Sequence, residues 1–290
     1  MSSTSTPHGE ISPRDRGGPP AASNPDRADA AIGSDDHAVW TSRAGRALAS
    51  VVRSTRGWVG ANVALIAMLV AASGLLVAAQ WAAEELFESV LDNVGLAALD
   101  RPVLTWVEGI RTPPLNAAVA FFSNTGGPVL QPILTALVVL FLGWRWKSWT
   151  PVVLALVAAG GSLAMTTLGK QFYGRVRPPL SDAIPPYEYS PSFPSGHTLN
   201  GTVIAGILCY LMLHWFRTRG VRTLWVIVAA VYAVAMGLSR VYLGHHWLTD
   251  VIAGWVFGLA WLGVVMTLHR LWLTARARFG PQRWTAMLAR

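Results

Sequence analysis

A single cysteine, Cys209, is all the thiol chemistry this 290-residue chain holds. That excludes an intramolecular disulfide and any multi-cysteine metal site. Cys209 falls inside an apolar run, where a small core residue is the expected reading. Charge is scarce as well: Asp, Glu, Lys and Arg make up 13% of the residues against 52% hydrophobic, and the mean hydropathy is +0.40. So few charged groups cannot cover the surface of a soluble globule, which points to an integral membrane protein. Acidic residues are the scarcer sign, 15 against 23 basic, giving a net charge of +8 and a pI of about 10.4. In a soluble chain that excess would suggest nucleic acid. Here its distribution suggests topology instead.

Residues 1–55 are rich in Ser, Pro, Gly, Ala, Asp and Arg and lack apolar periodicity. They are expected to form a disordered cytoplasmic tail. The first apolar run starts too late for a signal peptide. Six runs, at 57–80, 129–147, 150–169, 197–215, 222–240 and 250–271, approach or reach the ~20 residues that cross ~30 Å of hydrocarbon. The expected fold is all-α: a polytopic domain of six transmembrane helices over 56–272, followed by a basic cytoplasmic tail at 273–290. Between the first two runs, segment 81–127 carries Glu84, Glu85, Glu88, Asp92, Asp100 and Glu108. A short interfacial or re-entrant helix is expected there, around Leu115–Phe122.

Positive charge in loops fixes orientation. Arg43, Arg46, Arg53 and Arg56 precede the first run. Arg145 and Lys147 follow the second, and Arg217, Arg219 and Arg222 link the fourth to the fifth. Arg270, Arg276, Arg278, Arg283 and Arg290 close the chain. Six spans put all of these on the cytoplasmic side, with both termini, and leave the acidic segment outside. Trp144, Trp146, Trp149, Trp215, Trp225 and Trp272 then fall at the inner boundary, where an aromatic belt belongs.

One basic cluster breaks the rule. Lys170, Arg175, Arg177 and Arg240 fall on the extracytoplasmic side by the same count, with Ser195-Gly196-His197 and with His245, His246 and Asp250. Ionisable groups at membrane depth are expensive and mark functional sites. Headgroup contact alone fits Arg175 but not a cluster that also holds histidines and an aspartate. Lys170, Arg177 and Arg240 together offset a phosphate dianion, and arginine's planar fork binds two oxygens at once. Ser195 precedes a helix start, a favoured N-cap position, and Gly196 lets the backbone come close. The free N–H groups of that helix end then face an anion. His246 and Asp250, four apart, share a helix face, so the carboxylate can hold one ring nitrogen and leave the other free. On its own such a pair is commonly just a cap or surface contact. A second imidazole, His197, suits a two-step displacement in which one histidine attacks phosphorus and the other protonates the leaving oxygen.

KQFYGRVRP (Lys170 to Pro178), PSGH (Pro194 to His197) and SRVYLGHHWLTD (Ser239 to Asp250) resemble, in order and spacing, the three motifs of the type 2 phosphatidic acid phosphatases. These are membrane phosphatases related to vanadium haloperoxidases. The resemblance covers residues 60 to 270 or so and leaves out the N-terminal tail. It implies His246 as the nucleophile that forms a phosphohistidine, Asp250 as its orienting acid, and His197 as general acid. It implies Lys170, Arg177, Ser195, Gly196 and Arg240 as phosphate ligands. It implies no metal and no cofactor, because the cations do a metal ion's work.

The implied substrate is a membrane lipid phosphate or diphosphate. A polyprenyl diphosphate such as undecaprenyl diphosphate is ranked first, then phosphatidylglycerol phosphate, phosphatidic acid and diacylglycerol diphosphate. The Ala/Arg/Gly/Val bias suggests a bacterium of high GC content and hence its plasma or inner membrane. A phosphoryl transferase would carry the same motifs. A non-catalytic lipid-phosphate binder or transporter would be favoured by a degraded motif, and none is degraded. A vanadate haloperoxidase is disfavoured by six spans. Nucleic-acid binding has no support beyond net charge. Among the remaining residues, His245 reads as a packing neighbour, and His214 and His269 as interface anchors. Asp182, Tyr187, Glu188 and Tyr189 read as a solvated loop. The small residues Ala158 to Ser162 read as close helix packing.

Overall fold

A computed structural model describes residues 58–92 and 94–279. The tail expected at 1–55 lies outside the described residues, as do 280–290 of the expected C-terminal tail. Eight α-helices make up the described chain: α1 (Trp58–Asp92), α2 (Asp100–Gly109), α3 (Pro113–Asn124), α4 (Leu130–Trp146), α5 (Thr150–Tyr173), α6 (Gly196–Trp215), α7 (Arg219–Tyr242) and α8 (Leu248–Phe279). Short 3-10 turns stand at Gly95–Leu99 and Leu180–Asp182. No strand occurs among the described residues.

The apolar run that opens the described chain ends before its helix does. α1 continues to Asp92, well into the acidic segment. Residues 81–92 contain neither Gly nor Pro and are mostly good helix formers. Ala79, Ala83 and Leu86 are buried along one face at helical spacing. On the solvent side Gln80 Nε2 donates to Glu84 Oε1 at 2.9 Å, an i,i+4 support. The helix expected around Leu115–Phe122 is α3, started by a proline in its first turn.

Among the described residues, four helices are long and apolar enough to cross a membrane: Thr150–Tyr173, Gly196–Trp215, Arg219–Tyr242 and the Leu248–Leu273 part of α8. α4 is apolar but has only 17 residues. α6 is the central helix, in contact with α5, α7 and α8, while α1 lies along α8. Leu199, Val203, Ile207 and Leu211 form its fully covered stripe. In contrast Leu137, Leu156, Leu163 and Val231 on α4, α5 and α7 are each more than 60% exposed. A wide apolar exterior around a packed centre suits a hydrocarbon surround. The small-residue segment of α5 does serve close packing. A methyl group on Gly161 would meet the Trp261 ring at 2.1 Å, and Trp261 Nε1 donates to Ala158 O at 3.0 Å.

Because these helices alternate in direction, the C-termini of α5 and α7 and the N-termini of α6 and α8 meet at one end of the bundle. The α4–α5 and α6–α7 links meet at the other, where the Trp146 and Trp215 rings lie 5.7 Å apart and Arg145 stands over Trp215. The α5–α6 loop is tied down across the first end. Ser192 N donates to Arg175 O at 2.7 Å, Ile184 N to Leu243 O at 2.8 Å, and Ser195 N to Asp250 O at 3.0 Å.

Candidate active site

All eight residues singled out in the sequence stand at that first end. The turn between α7 and α8 sets His246 in place. Gly244 has φ +72°, and a side chain there would also run into Asp182 O at 2.2 Å, so only glycine fits. His245 N and His246 N then both reach back to Arg240 O, at 3.0 and 3.3 Å.

Asp250 combines the two readings open for it. Trp247 is the N-cap of α8, and its backbone N–H donates to Asp250 Oδ2 at 2.9 Å, the reach-back of a capping box. The same Oδ2 stands 3.4 Å from His246 Nδ1 and accepts a short hydrogen bond from Ser192 Oγ. Asp250 is fully buried, so this carboxylate needs its partners. Its other oxygen takes Arg175 Nη1 at 2.5 Å.

Arg175 therefore reads neither as a phosphate ligand nor as a headgroup anchor. Its second nitrogen, Nη2, pairs with Asp100 Oδ2 at 2.7 Å. Asp100 in turn accepts Thr249 N at 2.9 Å and Thr249 Oγ1 at 2.6 Å, capping α8 from outside. A buried chain thus runs Asp100–Arg175–Asp250–His246.

Arg177 fixes the tautomer of His246. Its Nη1 lies 3.1 Å from His246 Nε2, and a guanidinium can only donate. Nε2 therefore carries the lone pair and Nδ1 the proton, which points to Asp250. Burial first, then the Arg177 and Arg240 cations, hold the His246 pKa well below its ordinary value, so the ring is neutral.

Arg177 is itself locked, by Nε to Ser190 O at 2.6 Å and Nη1 to His245 O at 2.5 Å. Lys170 Nζ donates to Ser190 Oγ at 2.7 Å. Arg240 donates from Nη1 to Ser123 Oγ of α3 at 2.7 Å. Ser195 occupies the N-cap position of α6, but its hydroxyl accepts Thr198 Oγ1 at 2.9 Å and caps no backbone group. Gly196 packs against α5, where a methyl group would meet Thr166 Cγ2 at 3.0 Å.

Glu188 sits among these cations rather than in solvent. Its Oε2 lies 2.8 Å from Arg177 Nη2, its Oε1 pairs with Arg240 Nη2, and His197 Nδ1 is 3.9 Å from Oε1. Burial alone would raise its pKa, but the Arg240 and Arg177 cations outweigh this and bring it down to about 2. His245 is a tie for the loop, its Nε2–H donating to Ile184 O at 2.7 Å. His214 and His269 belong to the other end, where both contact Tyr210.

Lys170, Glu188, His197 and His246 line one mouth of a cavity of about 930 Å³ between α4, α5 and α6. Its walls continue along apolar helix faces to Val152 and Leu140, near the opposite end of the bundle. From Lys170 to Val152 the α5 wall rises on the order of 27 Å. No group of three or more metal-ligating side chains occurs among the described residues.

Asp100, Ser123, Glu188 and Ser192 belong to this constellation and were not legible as such. Ser192 lies two residues before PSGH. Asp100, Ser123 and Glu188 lie outside every motif, so only the folded chain brings them in.

The PAP2 superfamily model matches residues 150–273. Phosphatidylglycerophosphatase B of Bacillus subtilis is 33% identical over 153 residues, covering 52% of this chain and 73% of that protein. The undecaprenyl-diphosphatase of Sulfolobus acidocaldarius is 30% identical over 153 residues, covering 51% of this chain and 67% of the relative. The crystal structure of a transmembrane PAP2-type phosphatidylglycerolphosphate phosphatase from Bacillus subtilis superposes with a TM-score of 0.59. It shares 28% identity and covers 65% of this chain and 92% of its own.

Proposed function

This chain belongs to the PAP2 superfamily, and from that premise we propose that it is an integral-membrane hydrolase that removes phosphate from a membrane lipid phosphate or diphosphate. The observation that carries the reading is the cavity. Lys170, Glu188, His197 and His246, with Arg177 and Arg240 behind Glu188, open onto a long, mostly apolar trough of about 930 Å³. A lipid headgroup suits the first and its tail the second. Undecaprenyl diphosphate and phosphatidylglycerol phosphate are two substrates that the relatives' names support. Both end in a phosphate on a long apolar body.

Six membrane crossings, by α1 and α4 to α8, agree with the alternating helix directions. They put the site on the extracytoplasmic side and both termini in the cytoplasm.

In the reaction, Lys170, Arg177 and Arg240 hold the phosphate oxygens, and the first-turn N–H groups of α6, at Gly196 and His197, add fixed dipoles. The lone pair on His246 Nε2 attacks phosphorus, and the bond to the leaving oxygen breaks. His197 gives that oxygen its proton. Asp250 stabilises the charge that the His246 ring gains. Water, giving its proton back to His197, then attacks the phosphohistidine, releasing phosphate and neutral His246. The protein's own cations supply the charge stabilisation, so none of these steps calls for a metal ion.

The test is phosphate release by purified protein in detergent with EDTA. The substrate panel holds undecaprenyl diphosphate, phosphatidylglycerol phosphate, phosphatidic acid and diacylglycerol diphosphate. Release from at least one of these is expected, and their relative rates identify the substrate. No release from any of the four by folded protein overturns the reading.

A further inference from the structure

We propose that Glu188 is a built-in competitor for the phosphate cradle, which the substrate must displace and which thereby selects phosphate monoesters over phosphodiesters. The inference rests on the phosphatase reading above.

The geometry is that of an internal anion in an anion site. The two carboxylate oxygens are divided between Arg177 and Arg240, 63 residues apart in sequence and on different elements. These are two of the three cations assigned to the phosphate. The Nδ1 of His197, assigned to the leaving group, lies 3.9 Å from Oε1. Glu188 also lines the mouth of the lipid cavity beside Lys170, His197 and His246. A phosphate in reach of His246 Nε2 and these arginines has to take the carboxylate's place.

The loop is built for that exchange. The backbone is pinned on either side of Glu188, at Ile184 by Leu243 and at Ser190 by Arg177. Between the pins, Pro185 and Pro186 offer no backbone N–H to tie down. The neighbouring Tyr189 is 81% exposed. A side-chain rotation of Glu188 therefore clears the cradle while the rest of the loop stays anchored.

Charge then decides what can displace it. A phosphodiester headgroup carries one negative charge, as the carboxylate does, and exchanging one for the other gains nothing electrostatically. A terminal phosphate carries up to two and better offsets three cations. Bulk phospholipids are phosphodiesters and vastly outnumber any substrate in the bilayer, so this competition keeps the site clear of them. The cost is reduced apparent affinity for every phosphate, in proportion to the time the carboxylate spends in the cradle.

The experiment uses the full chain in detergent at pH 8 and compares the parent with Glu188→Gln and Glu188→Asp. Binding of inorganic phosphate and of dimethyl phosphate is read from protection against thermal unfolding, which needs no turnover. Inhibition of lipid-phosphate hydrolysis by phosphatidylglycerol is read in parallel. Glu188→Gln is expected to bind inorganic phosphate about tenfold more tightly than the parent and to become sensitive to phosphatidylglycerol. Glu188→Asp keeps the charge and is expected to stay near the parent. Equal or weaker phosphate binding by folded Glu188→Gln overturns the proposal, and so does unchanged phosphatidylglycerol inhibition. If Glu188→Gln does not fold, the parent alone still decides: equal protection by inorganic phosphate and dimethyl phosphate overturns it. A parent that binds phosphate but hydrolyses no lipid would instead sink the phosphatase reading.

Discussion

Arg175 Nη1 stands 2.5 Å from Asp250 Oδ1, and the same guanidinium reaches Asp100 Oδ2 at 2.7 Å. The acid that orients His246 is thus itself held by a cation fixed from α2. Arg175 touches no substrate in this account and acts only through Asp250. Arg175→Lys keeps the charge but loses the two-pronged grip. It should lower kcat by about 10- to 100-fold, as loss of an orienting partner does at comparable sites, with KM little changed. A lower Tm with unchanged kcat per folded molecule would reduce Arg175 to a purely structural role.

His197 as general acid makes a prediction about leaving groups. His197→Ala should slow hydrolysis of an alkyl phosphate by about 10²- to 10⁴-fold. It should affect p-nitrophenyl phosphate far less, because nitrophenolate leaves without a proton. An equal loss on both substrates would assign His197 to binding instead.

The lipid trough can be narrowed without touching the cradle. Ala159 lines it, away from Lys170 and His246. Ala159→Trp should cut hydrolysis of long-chain lipid phosphates by about tenfold or more while sparing a short-chain, soluble analogue, since it removes room for the tail and not for the headgroup. Equal effects on both chain lengths would separate the cavity from substrate binding.

Three groups outside the spans make stability depend on pH. Burial, then the Arg240 charge, holds His245 at a pKa of about 4, against 6.5 for the free residue. Between those values the unfolded chain binds more protons than the folded one, so stability falls as pH drops from 6.5 to 4 and is level above. His246 acts in the same direction. Glu188, lowered from 4.5 to about 2, adds a loss below pH 4.5. Thermal melts should therefore show a Tm that is level between pH 6.5 and 7 and falls on acidification. His245→Gln, which keeps a donor for Ile184 O, should flatten the slope between pH 6.5 and 4. A slope as steep as the parent's would contradict the assignment.

The motif residues were legible because chemistry constrains them locally. A Ser-Gly pair before a helix start, and a histidine with an acid four residues later, can each be read from one stretch of chain. The all-α architecture was legible from apolar runs. The true end of α1 was not, because hydropathy reports burial in lipid and says nothing about where helix propensity stops. Glu188 read as a solvated loop residue for a related reason. Nothing near it in sequence announces that Arg240, 52 positions on, would fold against it. Arg175 looked ambiguous because its partner Asp100 lies 75 residues upstream, on α2.

The most direct test of the mechanism is a search for phosphate on His246. Parent and His246→Ala proteins would be mixed with lipid substrate labelled in its terminal phosphate and quenched in base within milliseconds. The account predicts label bound to the parent at His246, stable in base and lost in acid as a phosphohistidine is. It predicts neither label nor phosphate release from folded His246→Ala. Phosphate release by His246→Ala at the parent's rate would contradict it.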